Sequence, residues 1–94
     1  MKNIVWIFNG NDARFPSGVF SSEQNARKWI FANSLDGVLS EYPLDEGAYD
    51  NALRLGMFVP KKDNQNTSRF ISNFSSTLRH FHFVNGIDQG GISN

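Results

Sequence analysis

Ile4-Val5-Trp6-Ile7-Phe8 is apolar at every position, and the turn residues Asn9-Gly10-Asn11-Asp12 end the run. A short uninterrupted run of β-branched and aromatic residues is typical of a strand near the middle of a sheet, covered on both faces. The run is too short for the apolar region of a signal peptide, which needs about 7–15 residues, or for a membrane span of about 20. The sequence therefore predicts a central strand and a cytoplasmic location.

The residues that follow predict a second strand and then a helix. Residues 18–21 resume an extended pattern, and we expect them to form a hairpin with the first strand. Residues 22–33 carry apolar side chains at helical spacing, with Trp29 in the core and Arg27 facing outwards. Ser21 is the predicted N-cap, because a glutamine three residues later completes the capping-box pattern.

The second half of the chain predicts further strands and helices. Residues 37–42 alternate, so that Leu39 and Glu41 share one face of a strand. The remaining predicted elements are a helix capped by Asp45 and ended by Gly56, a segment at residues 69–74 that fits either a helix or a strand, and a strand at residues 78–84.

The element order β-β-α-β-α-(α)-β predicts an α+β fold, with a mostly antiparallel sheet and helices packed on one face. A chain of 94 residues is too short for two independent cores, so we expect a single domain over residues 1–87 and a flexible tail at residues 88–94. The chain has no cysteine, which excludes disulfides, thiolate zinc sites and a cysteine nucleophile. Its aromatic share of 14% can supply a core without such cross-links.

Charge is balanced overall but is segregated along the chain. The formal net charge is zero, so no global field attracts nucleic acid or anionic lipid. Residues 36–50 nevertheless hold five acids and no base, whereas residues 54–79 hold five bases and a single acid. The acidic stretch also carries two tyrosines, a composition suited to contact with a basic protein.

Two regions are therefore predicted to bind a protein partner. In the loop after the first strand, Arg14 beside Phe15 fits an interface anchor; an internal Asp12–Arg14 pair, with Phe15 in the core, fits equally well. In the acidic stretch, helix capping and a tyrosine in the core account for only some of the residues. The predicted partner-binding residues are Asp12, Arg14, Glu41, Tyr42, Asp45, Glu46 and Asp50.

His80 and His82 form an H-x-H pair, which places two imidazoles on one face of a strand. A metal site would need a third ligand, for which Glu41 and Asp88 are the candidates. Two imidazoles with a lysine could instead support acid–base cleavage of a phosphodiester. Histidines on an exposed strand face are more often neither metal ligands nor catalytic groups. The sequence therefore predicts no catalytic residue, no metal and no cofactor.

The phrases FNGNDARFPSGVFSS, at residues 8–22, and EYPLDEGAYD, at residues 41–50, resemble a family of short uncharacterised bacterial proteins. The similarity covers nearly the whole chain, and it implies no known activity. Small size, the acidic stretch and the lack of a catalytic motif favour a non-enzymatic protein-binding domain. The leading hypothesis is an immunity protein that neutralises a basic toxin, such as a nuclease. The alternatives are a metal-binding or hydrolytic protein that uses His80 and His82, and a small nucleic-acid-binding module.

Overall fold

The structure, a computed structural model, describes residues 3–75 and 78–90. Its strands are β1 Ile4–Gly10, β2 Gly18–Phe20, β3 Gly37–Pro43, β4 His80–Val84 and β5 Ile87–Asp88; its helices are α1 Glu23–Ala32, α2 Ala48–Arg54 and α3 Ser68–Ser72, with a 3₁₀ helix at Asp63–Asn66. The strands form one sheet in the order β2-β1-β3-β4-β5, and each neighbouring pair is antiparallel. This confirms the predicted α+β fold. Within the described ranges, none of the helices combines the length and the apolar character that crossing a bilayer requires.

One face of the sheet packs against α1 and forms the main core. The buried residues of this core are Trp6, Phe8, Leu39 and Phe83 from the sheet, with Ala26 and Ile30 from the helix. Trp29 is partly buried, and its ring meets the Phe8 ring edge-on with 5.7 Å between centroids. Burial of a large apolar side chain stabilises a fold by about 1.5–3 kcal/mol, so these contacts hold α1 on the sheet.

The opposite face of the sheet is here called the open face. It is formed by Val5, Ile7 and Asn9 of β1, Val19 of β2, Val38, Ser40 and Tyr42 of β3, His80, His82 and Val84 of β4, and Ile87 of β5. β1 does lie between two strands, as predicted, but the prediction that both its faces are covered is wrong. Val5 and Ile7 are only half-buried, because α1 and the core lie on the other side.

The two predicted helix caps both differ from the observed ones. Ser22, not Ser21, caps α1, because its Oγ accepts a hydrogen bond from the backbone N–H of Asn25. Gly47 is the N-cap of α2 and provides no side-chain bond. Asp45 lies two residues earlier in a turn, where its φ of 62° is left-handed. Aspartate tolerates that conformation better than most residues, which explains its place in the turn.

A second, aromatic cluster joins the segments that follow β3. Its members are Tyr49, Phe58, Phe70 and Phe74, with ring centroids 5.0–6.1 Å apart. Residues 69–74, whose sequence fits either a helix or a strand, lie mostly in the helix α3. This helix contributes the Phe70 ring, and Phe74 follows just after its end. The preceding 3₁₀ helix is attached to the cluster, because the Tyr49 hydroxyl donates a hydrogen bond to the Gln65 carbonyl oxygen.

Arg27 attaches β5 to α1. The prediction that Arg27 faces outwards is wrong: its guanidinium lies 4.7 Å from the centroid of the Phe81 ring. Its Nη1 donates a hydrogen bond to Asp88 Oδ2 at 2.8 Å, and its Nε bonds to Glu23 at 2.7 Å. The prediction that Asp88 belongs to a flexible tail is wrong, because this residue lies in β5 and is ion-paired. Of that predicted tail, residues 91–94 lie outside the described residues.

This ion pair predicts a loss of stability in acid. Hydrogen bonding from Arg27 lowers the pKa of Asp88, assisted by a bond from the Gly90 backbone. A carboxylate with a depressed folded-state pKa stabilises the fold above its unfolded value of 3.8, and the contribution is lost as pH falls through the lower folded value. We expect Asp88→Asn to reduce the free energy of unfolding at pH 7 by about 1 kcal/mol or less, since the pair is partly exposed.

Urea denaturation at pH 7 and pH 2 measures this effect. The difference between Asp88→Asn and the wild type should be smaller at pH 2, because the ion pair is lost as Asp88 takes up a proton. Asp12→Asn is the control. Asp12 is exposed, and among the described residues its side chain takes part in no ion pair. A difference that is equal at the two pH values would contradict the assigned role of the Arg27–Asp88 pair.

Candidate functional site

A groove of about 570 Å³ lies between one end of the sheet and α2. Its volume is in the range of sites that hold a small molecule or a few side chains of another protein. The apolar lining consists of Ile4, Pro43, Leu44, Leu55, Met57 and Leu78. Three of these remain about half exposed, at 49% for Leu44, 51% for Leu55 and 52% for Met57. The groove thus presents apolar surface that residues 3–75 and 78–90 leave partly uncovered.

The first polar wall of the groove is an ion pair between β3 and Arg79, the residue that precedes β4. Arg79 Nε donates to Glu41 Oε1 at 3.0 Å, and Arg79 Nη2 donates to Glu41 Oε2 at 3.4 Å. The Glu41 backbone N–H also donates to the Arg79 carbonyl oxygen, so the antiparallel pairing itself sets the two residues opposite each other. The guanidinium lies 5.3 Å from the centroid of the Trp6 ring, which supports its planar group.

The second polar wall is an ion pair between α2 and the turn before it. Arg54 donates from Nε and Nη2 to the two carboxylate oxygens of Glu46, each at 2.9 Å. Arg54 Nη2 also donates to Asn51 Oδ1 at 3.1 Å. The hydrogen bond from Arg54 lowers the pKa of Glu46, so this carboxylate stays ionised over the physiological range. A two-point pair of this kind fixes both side chains more firmly than a single contact.

In both ion pairs the arginine is the more exposed partner. The side chain of Arg79 is 62% exposed against 17% for Glu41, and Arg54 is 61% exposed against 26% for Glu46. Hydrogen bonding to Glu41 and to Glu46 raises the pKa of these two arginines. Each guanidinium still has donors beyond those used by its glutamate. The rim of the groove can therefore donate hydrogen bonds to the carbonyl or carboxylate oxygens of a ligand.

The structure brings together only part of the predicted binding surface. Glu41 and Glu46 line the groove, although their charges are balanced by arginines. Asp45 and Asp50 are exposed close by, in the turn and in the first turn of α2. Tyr42 lies on the open face, because strand alternation points it away from Glu41.

The loop of Asp12 and Arg14 lies at the other end of the sheet. β1 runs antiparallel to β3, so the loop after Gly10 is about 20 Å along the strand from the groove. The alternative in which Phe15 enters the core is wrong, since this side chain is 72% exposed. The Arg14 guanidinium lies over its ring at 5.6 Å from the centroid. Among the described residues, no ion pair joins Asp12 to Arg14. This loop is a separate exposed surface.

The two carboxylates predicted as a third metal ligand lie on the opposite side of the sheet from the two histidines. His80 and His82 belong to the open face, whereas Glu41 and Asp88 pair with Arg79 and Arg27 on the core side. Accordingly, residues 3–75 and 78–90 contain no group of three or more histidines and carboxylates that could hold a metal ion. A site that depends on either carboxylate is excluded by this placement.

Sequence reasoning missed both arginines and most of the apolar lining. Arg54 is eight residues from Glu46, a spacing that no helix rule connects, and Arg79 is 38 residues from Glu41. One signal could have found the Glu41–Arg79 pair. Residues 37–42 and residues 78–84 both alternate, and pairing them as neighbouring antiparallel strands sets Glu41 opposite Arg79.

Comparison with known families gives one match. Residues 5–89 match the model of a domain of unknown function, DUF7710. Neither the curated proteins nor the solved structures contain a match to the chain.

Proposed function

The chain belongs to the DUF7710 family, and we propose that it is a non-enzymatic protein-binding domain whose groove receives a segment of a partner protein. The observation that carries this proposal is the half-exposed apolar lining at Leu44, Leu55 and Met57. Apolar surface collected in a concave site and surrounded by polar groups is characteristic of binding sites.

The polar walls support binding over catalysis. Glu41 and Glu46 are engaged in ion pairs with Arg79 and Arg54, which suits fixed geometry and leaves the carboxylates poorly placed to exchange protons. The exposed guanidiniums can bond the main-chain carbonyl oxygens of an inserted segment or a carboxylate that it carries. A partner segment with one or two apolar side chains flanked by acceptor groups fits these features.

The most specific form of the proposal is a cytoplasmic immunity protein that neutralises a cognate bacterial toxin. Asp45 and Asp50 are exposed beside the groove and would meet a basic surface, such as the substrate cleft of a nuclease. In this arrangement the groove supplies contact area and the two aspartates speed the approach of the partner. Asp12 and Arg14, at the far end of the sheet, would add a second contact only with a partner that spans the length of the sheet.

The experiment is affinity capture of the tagged protein from its native cells, with the products of neighbouring genes co-expressed as candidate partners. We expect Met57→Asp to weaken capture at least tenfold, because it places a charge among the apolar side chains of the groove. Val59→Asp is the matched control: it lies two residues away and is 63% exposed, but it does not line the groove.

We expect Asp45→Lys with Asp50→Lys to slow association, most clearly at low salt.

Two outcomes would contradict the proposal. Equal capture by Met57→Asp and the wild type would exclude the groove as the binding site. A partner that is held through the groove but has no toxic activity would reject the immunity function while leaving the binding domain intact.

A further inference from the structure

The two histidines of the chain lie side by side on the open face, on the opposite side of the sheet from the groove. His80 and His82 are both exposed, with 5.2 Å between ring centroids and 80° between ring planes. We propose that these two imidazoles chelate a divalent transition-metal cation of borderline softness, namely zinc, nickel or copper. Imidazole is a preferred ligand for these three ions.

The separation of the rings suits a shared cation. A zinc ion lies about 2.0–2.1 Å from an imidazole nitrogen, which places it about 3.2 Å from the ring centroid. Two rings at a tetrahedral angle around such an ion have centroids about 5.2 Å apart, and a square arrangement brings them to about 4.5 Å. The observed centroid separation of 5.2 Å is compatible with a single shared ion when each ring turns a nitrogen towards it.

The contact made by His80 favours Nε2 as the ligand nitrogen. Its Nδ1 lies 3.3 Å from the Leu78 carbonyl oxygen, which is an acceptor, so a hydrogen bond here uses the neutral tautomer that carries its proton on Nδ1. The lone pair is then on Nε2. A ligating histidine commonly donates its other N–H to a backbone carbonyl in this way, which sets both its tautomer and its orientation.

The surroundings of the pair admit a cation and leave it accessible to water. Among the described residues of the open face there is no lysine or arginine to repel a metal ion, and there is no carboxylate to add a third charged ligand. Val38 and Ser40 are the cross-strand neighbours of His82 and His80. The Ser40 hydroxyl can hydrogen-bond a water molecule on the metal. Two imidazoles with water in the remaining positions predict a site that exchanges its metal, unlike a structural zinc site with four protein ligands.

The test is a titration of the full chain with zinc and, separately, nickel, followed by thermal melting and by NMR of the imidazole protons. The chain has two histidines and no cysteine, so every imidazole signal belongs to this pair. At a zinc concentration about 100-fold above Kd, binding to the folded state should raise Tm by roughly 10–20 °C. His80→Ala and His82→Ala should each remove most of this rise, whereas Tyr42→Phe, on the same face, should keep it.

Comparing the metal-induced rise in Tm, rather than Tm itself, keeps the test valid if a variant is less stable. The proposal is overturned if His82→Ala shows the same rise as the wild type, or if zinc leaves both sets of ring resonances unmoved. Movement of the ring resonances of only one histidine would also overturn it, because the proposal requires both imidazoles on one ion. None of these results depends on whether the groove binds a partner.

Discussion

Gly37→Ala should lower the free energy of unfolding by roughly 2–3 kcal/mol, the cost of overpacking a core that cannot rearrange. Gly37 begins β3 and lies directly opposite Gly10 in the pairing with β1. A Cβ at this position would meet the Asn9 carbonyl oxygen, Phe8 Cζ at 2.6 Å and Gly10 Cα at 2.8 Å. Two of these atoms are backbone of the paired strand, so relief requires β1 and β3 to separate.

The control is Gly10→Ala, on the other side of the same cross-strand pair. A Cβ on Gly10 would meet only Ala13 Cβ and the Asp36 carbonyl oxygen, both at 3.8 Å, which is ordinary contact. Both substitutions restrict the unfolded chain to a similar degree, so the difference between them reports on the folded state. Urea denaturation of the two variants measures it. A similar loss of stability in both would show that the approach of the strands at Gly37 is not the cause.

Tyr49→Ala should cost about 3–4 kcal/mol, in the range found for removal of a buried aromatic side chain. Tyr49 is 5% exposed and its ring meets the rings of Phe58, Phe70 and Phe74. Tyr49→Phe keeps these contacts and loses only the hydrogen bond to the Gln65 carbonyl oxygen, so it should cost about 1 kcal/mol.

Two spectroscopic probes separate the aromatic cluster from the main core. Trp6 and Trp29 both pack in the main core, so tryptophan fluorescence follows the sheet, whereas far-UV circular dichroism also follows α2 and α3. We expect the two midpoints to fall together in Tyr49→Ala, because a small domain unfolds cooperatively. If only the circular dichroism midpoint falls, the cluster unfolds as a unit of its own.

Local patterns predicted most of the regular structure. The alternation of residues 37–42 placed Leu39 and Tyr42 on opposite faces of the strand, and helical spacing located α1. Some errors are at the ends of elements, where a single hydrogen bond decides which residue is the cap. Ser21 and Ser22 are chemically equivalent as caps, and only the backbone position of Asn25 selects Ser22. For β1, an apolar run signalled a central strand but could not show that one face lacks a covering layer.

The binding surface was harder to predict because residues that are adjacent in the sequence need not lie on the same surface. Glu41 and Tyr42 are adjacent in the chain and lie on opposite faces of the sheet. Composition also does not show which charges pair: Arg54 and Arg79 come from the basic part of the chain and balance the charges of Glu46 and Glu41. Segregated charge along a sequence can thus signal long-range ion pairs as readily as an interaction surface.

The two outermost strands of the sheet are also its shortest, with three residues in β2 and two in β5. The backbone groups at a sheet edge can pair with a strand of another molecule, and this is how many β-rich proteins aggregate. Among the described residues, the strand at either edge is only two or three residues long, while the seven-residue strands β1 and β3 lie inside the sheet. Outer strands this short offer little template for edge-to-edge pairing with another molecule.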